Sequence, residues 1–354
     1  MVSRFFAPFY QARGHAYDWN SQGIFLAPLE QQSSLMFEFV FKMFSVGSAS
    51  LPAGGMGQVP LQIAADLPEE CLLLNTKVVS MTKISDGEDG NDADGGEEDQ
   101  EIHSGVDGCP RVRLELGDGT EVLAHAAVVA TEAPAAARLL GEGVLEGGAR
   151  PSEGRSSTCL YYAIDGPAPV AGPILVLNGE GTNPKRPVNN VVFLEQTAPS
   201  YAPEGKSLAS VTVVGDPACN DEDLEARVRA HLREWFDEQA GAGAGTGAEG
   251  GEGGAKGSVT ANLGDVTKWR HLRTYRVPYA QPAQMPPVAG DGFYGREVKL
   301  EEGIFVCGDH RATPTLDGAM RSGVLAAEAV VRNLMMESRP PVRKGRPYRK
   351  RAQV

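Results

Sequence analysis

The chain has 354 residues, is 42% hydrophobic and carries a formal net charge of −13, which is enough apolar material for two buried cores. Ten acidic residues and no Lys or Arg lie between Ser85 and Gly108, so −13 less −10 leaves −3 elsewhere, and the acidity says nothing about a cationic partner. Five scattered cysteines without a Cys-x-x-Cys pair, no apolar run near ~18 residues and six unclustered histidines argue against a disulfide scaffold, a membrane-spanning helix and a zinc site.

The first 19 residues hold Phe5, Phe6, Phe9, Tyr10, Tyr17 and Trp19 without a secretory apolar core, and so read as domain interior. The run 33–44, SSLMFEFVFKMF, predicts a helix capped by Ser33 or Ser34, polar only at Glu38 and Lys42 and therefore mostly buried, or else lining a path for an apolar substrate. A glycine turn and short helix follow in LPAGGMGQVPLQIAADLP, then a strand or bent pair in CLLLNTKVVSMTKI. Residues 85–108 predict an acidic disordered insertion. Val112, Leu114 and Leu116 alternate with charges and Asp118-Gly119 makes a turn, which predicts a hairpin whose return strand is the apolar Ala127 to Ala130.

Four further strands are predicted in TCLYYAI, PILVLN, NNVVFLE and LASVTVVG, and an amphipathic helix in DEDLEARVRAHLREWF. Residues 241–257 are a Gly-rich loop. Trp269 to Pro282 predicts a strand, with Arg273, Tyr275 and Tyr279 as candidate pocket residues. In residues 303–330 a buried strand, Ile304 to Val306, delivers Gly308 and Asp309 to a sheet edge. A helix from Thr315 to Met336 then begins, with Thr313 as N-cap, Pro314 at N1, and Ala319, Gly323 and Ala327 as a small-residue packing face. Gly318 in its first turn lets a ligand or a neighbouring backbone approach closely. Free N–H groups at such a helix end suit an anionic or polar cofactor, Asp309 can accept from a sugar or ribityl hydroxyl, and His310 beside them either approaches the cofactor or a substrate or is an ordinary loop residue. The tail, 336–354, is basic and reads as a solvated end; no nucleic-acid partner is expected, and peripheral membrane contact stays open.

The segment GIFVCGDHRATPTLDGAMRSGVLAAEAV resembles the C-terminal FAD-binding signature of the flavin-containing amine oxidases and phytoene desaturases. PAGGMGQVPLQIAADLP with LLLNTKVVSMT, and AVVATEAPAAARLL, are similar to two further segments of that family in the same order. The resemblance implies an FAD-dependent oxidoreductase acting on a small molecule, with FAD held by Val78, Thr131, Gly308, Asp309, Thr315, Leu316, Gly318, Ala319 and Met320. It implies an α/β fold with a Rossmann-like FAD domain of the glutathione-reductase type from 51–140 and 296–335, and a mixed α+β substrate domain from 1–50 and 141–295. The family's opening strand-GxGxxG-helix unit is not legible: Gly245/Gly247/Gly250 and Gly290/Gly292/Gly295 match in spacing but not in context. The FAD domain is therefore expected to be incomplete and to hold FAD poorly alone; the alternative is a non-catalytic remnant acting with a partner chain. No residue is assigned as acid or base, no metal is expected, and free cysteines suit an intracellular reducing compartment, cytoplasm or plastid.

Overall fold

The computed structural model describes residues 26, 34–47, 50–84, 111–141, 145, 154–179, 181–237, 265–283 and 296–337. The acidic insertion, the Gly-rich loop, both GxGxxG spacings, all but two residues of the tail and the whole aromatic N-terminal run lie outside them. The chain is mixed α/β and divides into two compact units, 1–74 with 146–293 and 75–145 with 294–354. Residues 51–74 thus fall in the first unit, where the Tyr201 hydroxyl donates to Pro52 O (3.0 Å) and Ser200 Oγ to Ala53 O (2.6 Å), not with the strand that follows them.

The first unit contains α1 (Ser34–Val46), α2 (Gln58–Ala64), β5 (Gly154–Asp165), β6 (Leu175–Leu177), β7 (Val188–Phe193), β8 (Lys206–Val214), α4 (Asp221–Phe236) and β9 (Arg270–Pro282). The second contains β1 (Val78–Lys83), β2 (Val112–Leu116), β3 (Glu121–Ala124), β4 (Ala127–Val129), α3 (Ala133–Leu140), β10 (Lys299–Glu301), β11 (Ile304–Val306) and α5 (Leu316–Glu337).

In the first unit, five strands form an antiparallel sheet in the order β6-β7-β8-β5-β9. Its register sorts the side chains into two faces, because residues opposite one another share a side. One row runs Val176, Val191, Val211, Leu160 and Thr274. Its three central members are fully buried, in one core with Leu224, Val228, Leu232 and Phe236 of α4. The adjacent rows run Leu175, Val192, Ser210, Tyr161 and Arg273, and Leu177, Asn190, Thr212, Cys159 and Tyr275, and they face the other way. Pro278 is tolerated because β9 is an edge strand. Asn220 caps α4 by accepting from Asp223 N (2.7 Å), with Asp221, Glu222 and Asp223 in the first turn, as the helix dipole favours.

Helix α1 departs from expectation. Met36 is 3% exposed, but Met43, Phe44 and Val46 are 43%, 60% and 71% exposed. A helix that is apolar on every side needs neighbours on every side, and among the described residues it has them only on part of its circumference.

The second unit holds two three-stranded sheets, β1-β2-β3 and β10-β11-β4. The hairpin at Asp118-Gly119 forms as expected: Gly119 takes φ +89° and Asp118 accepts from Thr120 N. Its return strand, however, is Glu121–Ala124, not Ala127 to Ala130. Ala127–Val129 leaves for the other sheet and pairs in parallel with Ile304–Val306. A short strand that is apolar on both faces belongs beside another apolar strand, here the buried Ile304–Val306, not at the rim of an amphipathic hairpin. Val129, Ala136, Ala137, Leu145 and Val306 form the core beneath it.

Candidate functional site

Strands β4 and β11 run parallel in register, Ala127 with Ile304 and Val129 with Val306, so they end at one sheet edge. Just past those ends stand Thr131 on one strand and Gly308 and Asp309 on the other, with Cys307 N donating to Val129 O (3.0 Å). Gly308 has φ +143°, and a Cβ there would meet the His310 ring at 2.6 Å and Thr131 O at 3.6 Å, so only glycine fits. Its N–H donates to Ser322 Oγ (2.8 Å), which in turn donates to Ala319 O (2.8 Å). One buried serine of α5 thereby fixes the turn. Ser322→Ala should leave a buried N–H unsatisfied and destabilise the second unit by about 1–3 kcal/mol; urea titration of the pair of proteins checks this, and equal midpoints would refute it.

After Gly308 the chain makes a 3₁₀ turn, Asp309–Arg311. His310 is 6% exposed, and neither ring nitrogen has a hydrogen-bond partner among the described residues; Nδ1 lies 3.9 Å from Asp309 Oδ1. Arg311, 5% exposed, donates through Nη2 to Glu297 O while its Nε has no partner there, and Arg296 Nη1 donates to His310 O (2.6 Å). Burial pulls both guanidiniums below their ordinary range, for Arg311 with Arg296 adding like-charge repulsion. Three orphaned polar atoms in one turn are unusual for a buried segment.

The helix start differs by two residues from the sequence reading. Thr315, not Thr313, is the N-cap: its Oγ1 accepts from Gly318 N (3.0 Å), and α5 begins at Leu316. The Thr313–Thr315 turn folds back over the helix, so a Cβ on Gly318 would collide with Thr313 O and Oγ1. Of the two readings of Gly318, the structure shows the close neighbouring backbone. The small buried positions of α5 are Gly318, Ser322 and Ala326; Gly323 faces open space and Ala327 is exposed. The packing face is thus one residue away from the Ala319-Gly323-Ala327 series.

Thr131, Gly308 and Asp309 therefore come together, with Thr315, Gly318 and Ala319 in the first helical turn beyond. Val78, half-buried at the head of β1, lines a 640 Å³ cleft with Thr131. Leu316 and Met320, at the start of the same helix, are 53% and 49% exposed. Sequence reasoning passed over Ser322, Arg296 and Arg311. Ser322 was detectable in principle, as the polar member of an otherwise small i, i+4 series; the arginines gave no signal.

In the first unit, Arg273 and Tyr275 lie on the sheet face away from α4, and Tyr279 packs against Gly154, which leaves it a structural role. The described cysteines Cys71, Cys159, Cys219 and Cys307 are unpaired. Burial raises the thiols of Cys159 and Cys307, while Cys71 is exposed. Iodoacetamide at mildly alkaline pH should label Cys71 before Cys307, as mass spectrometry of the digests would read; the reverse order would contradict the packing of β11. No helix among the described residues is long and apolar enough to cross a membrane.

The family model of flavin containing amine oxidoreductase matches residues 2–331. Among solved structures, the chain is similar to putrescine oxidase bound to putrescine (TM-score 0.51, 12% identity, 93% of this chain and 64% of that one). It also matches reduced UDP-galactopyranose mutase (0.49, 11%, 88% and 63%) and an oxidoreductase from Methanosarcina mazei (0.38, 16%, 64% and 47%). The chain spans less than two thirds of the length of each of these structures. No curated protein matches it in sequence.

Proposed function

The chain belongs to the flavin containing amine oxidoreductase family, whose cofactor is FAD, and from that premise we propose an oxidoreductase that takes a hydride from a substrate C–H bond. The observation that carries this reading is the shared carboxyl edge of β4 and β11, where Thr131, Gly308 and Asp309 meet the start of α5. In parallel sheets, ligands bind outside the carboxyl ends of the strands. The residues present fit the group: the edge offers a carboxylate for a ribityl or ribose hydroxyl, orphaned donors at His310 and Arg311, and a helix N-terminus.

FAD bound there supplies the hydride acceptor. Asp309 would hold a cofactor hydroxyl, and Ser322 would hold the Gly308 turn that aims Asp309. Thr131 and Val78 would contact the cofactor from the cleft beside β4. The chain's work is orientation and exclusion of water, with no side chain assigned to proton transfer.

A second reading has a specific observation behind it. Strand β4 pairs on one side only among the described residues, which favours a Rossmann-like sheet completed by a further strand–helix unit and correspondingly weak FAD uptake by this chain alone. Quenching of FAD fluorescence tests both readings. Saturable but weak binding is expected, with Asp309→Ala raising Kd by about ten-fold, roughly 1.4 kcal/mol. Stoichiometric flavin on the purified chain would sink the incomplete-sheet reading; absence of any saturable binding would sink the flavoenzyme.

A further inference from the structure

The face of the five-stranded sheet turned away from α4 carries charge of both signs at one end, where Arg270 lies opposite Ala163 and Lys206 pairs with Asp165 (2.5 Å); its middle carries a single kind of charge. In the two register rows that define it, Arg273 is the one ionised side chain, and neither row contains a carboxylate. Three other arginines of this unit are differently placed. Arg276 is held by Asp216 (2.5 Å) and Asp221 (2.7 Å), Arg229 by Glu225 (2.6 Å) and Arg233 by Asp237 (2.7 Å). Arg273 has no carboxylate within ion-pair distance among the described residues; its guanidinium lies 5.0 Å over the ring of Tyr275.

Tyr275 in turn meets Tyr161 edge-on, with ring centroids 5.7 Å apart, and is itself 47% exposed. Burial raises the Tyr161 phenol and the Cys159 thiol above their ordinary values, so both stay neutral near neutral pH. The surface is thus an uncharged shelf, aromatic at Tyr161 and Tyr275 and mildly polar at Ser210, Thr212 and Asn190, with one planar cation stacked at its edge whose forked donors are uncommitted among the described residues. An alkylammonium would meet like charge there, with no acid in these rows to receive it. An oxyanion would meet a planar bidentate donor, and an apolar body behind it would lie on the rings.

We infer that this sheet face binds a small molecule with an aromatic or alkyl body and a terminal carboxylate, and that Arg273 is the residue that selects the carboxylate. The inference names the substrate class of the proposed oxidoreductase and rests on that reading only for the ligand's being a substrate.

The test needs no flavin. Calorimetric titration of the full chain would compare 3-phenylpropanoate, 3-phenylpropanamide and 3-phenylpropylamine, which share one body and differ in charge. The carboxylate is expected to bind about ten-fold more tightly than the amide, and the amine more weakly than both. Arg273→Gln should abolish the carboxylate's advantage without shifting the melting temperature, since the side chain is exposed and makes no ion pair among the described residues; Arg273→Lys should restore part of it. Equal binding of the three probes, tighter binding of the amine, no saturable binding of any probe, or a preference that survives Arg273→Gln would each overturn the inference. FAD titration of the same variants separates the two questions: a carboxylate preference in a chain that fails to bind FAD keeps this site and removes the flavoenzyme.

Discussion

Gly318→Val is expected to destabilise the second unit by about 3 kcal/mol or more, at the upper end of what overpacking costs. The reason is not the cofactor. The first Cβ added at Gly318 runs into the carbonyl oxygen and hydroxyl of Thr313, so the turn that carries Thr315 must lift off the helix it caps. Ala326→Val is the control, since Ala326 is 1% exposed on the same helix and should cost about 1–3 kcal/mol by ordinary crowding. Guanidinium titration of both variants, followed by flavin titration at matched folded fractions, separates collapse of the turn from loss of a ligand contact. A Gly318→Val protein with the parent's stability would mean that the Thr313–Thr315 turn does not lie against α5.

Phe193→Ala should cost the first unit about 3–5 kcal/mol. Phe193 is 1% exposed at the end of β7, with ring centroids 5.9 Å from Phe236 and 6.1 Å from Trp269, and so ties the sheet to α4 and to the entry of β9. Tryptophan fluorescence reports this directly, because Trp269 is 3% exposed beside the deleted ring. Hydrogen exchange at Ile304–Val306 should be unchanged if the two units unfold separately. Loss of less than about 1 kcal/mol would contradict the packing of this core.

The contrast between the units explains what the sequence could show. Strand β5 alternates buried and half-exposed residues from Thr158 to Ile164, β7 does so from Asn189 to Phe193 and β8 only toward its ends, and each was legible in its own stretch of chain. Strand β4 was not: Ala127–Val129 is short and apolar on both sides, so nothing local says that it joins Ile304–Val306 instead of closing the hairpin. At the candidate site, Gly308 and Asp309 were placed at the sheet edge by the apolar run before them, whereas Thr131 entered only through the family resemblance. The helix face was misjudged because Ser322 counts as polar in a sequence, yet its hydroxyl is consumed between Gly308 N and Ala319 O. The cap was misjudged because Thr313 and Thr315 flank Pro314 symmetrically, and only the hydrogen bond from Gly318 distinguishes them. The orphaned nitrogens of His310 are a property of surroundings, which composition and spacing do not record.

The parallel pairing of β4 with β11 has a consequence in time. It joins Ala127 to Ile304, 304 − 127 = 177 residues further on, and all of β5 to β9 lies between them. During synthesis at about 5–20 residues per second, β4 would wait on the order of ten seconds or more for its partner to emerge. The antiparallel sheet of the first unit is by then complete in the chain and can fold without it, since β5 to β9 pair only among themselves. The apolar Ala127–Val129 is the segment left longest without its native cover, and long-range parallel pairing is slow even once both strands exist. A ribosome-bound chain halted before residue 304 should therefore protect β8 from proteolysis while leaving β4 cleavable, and the same chain extended past α5 should protect both.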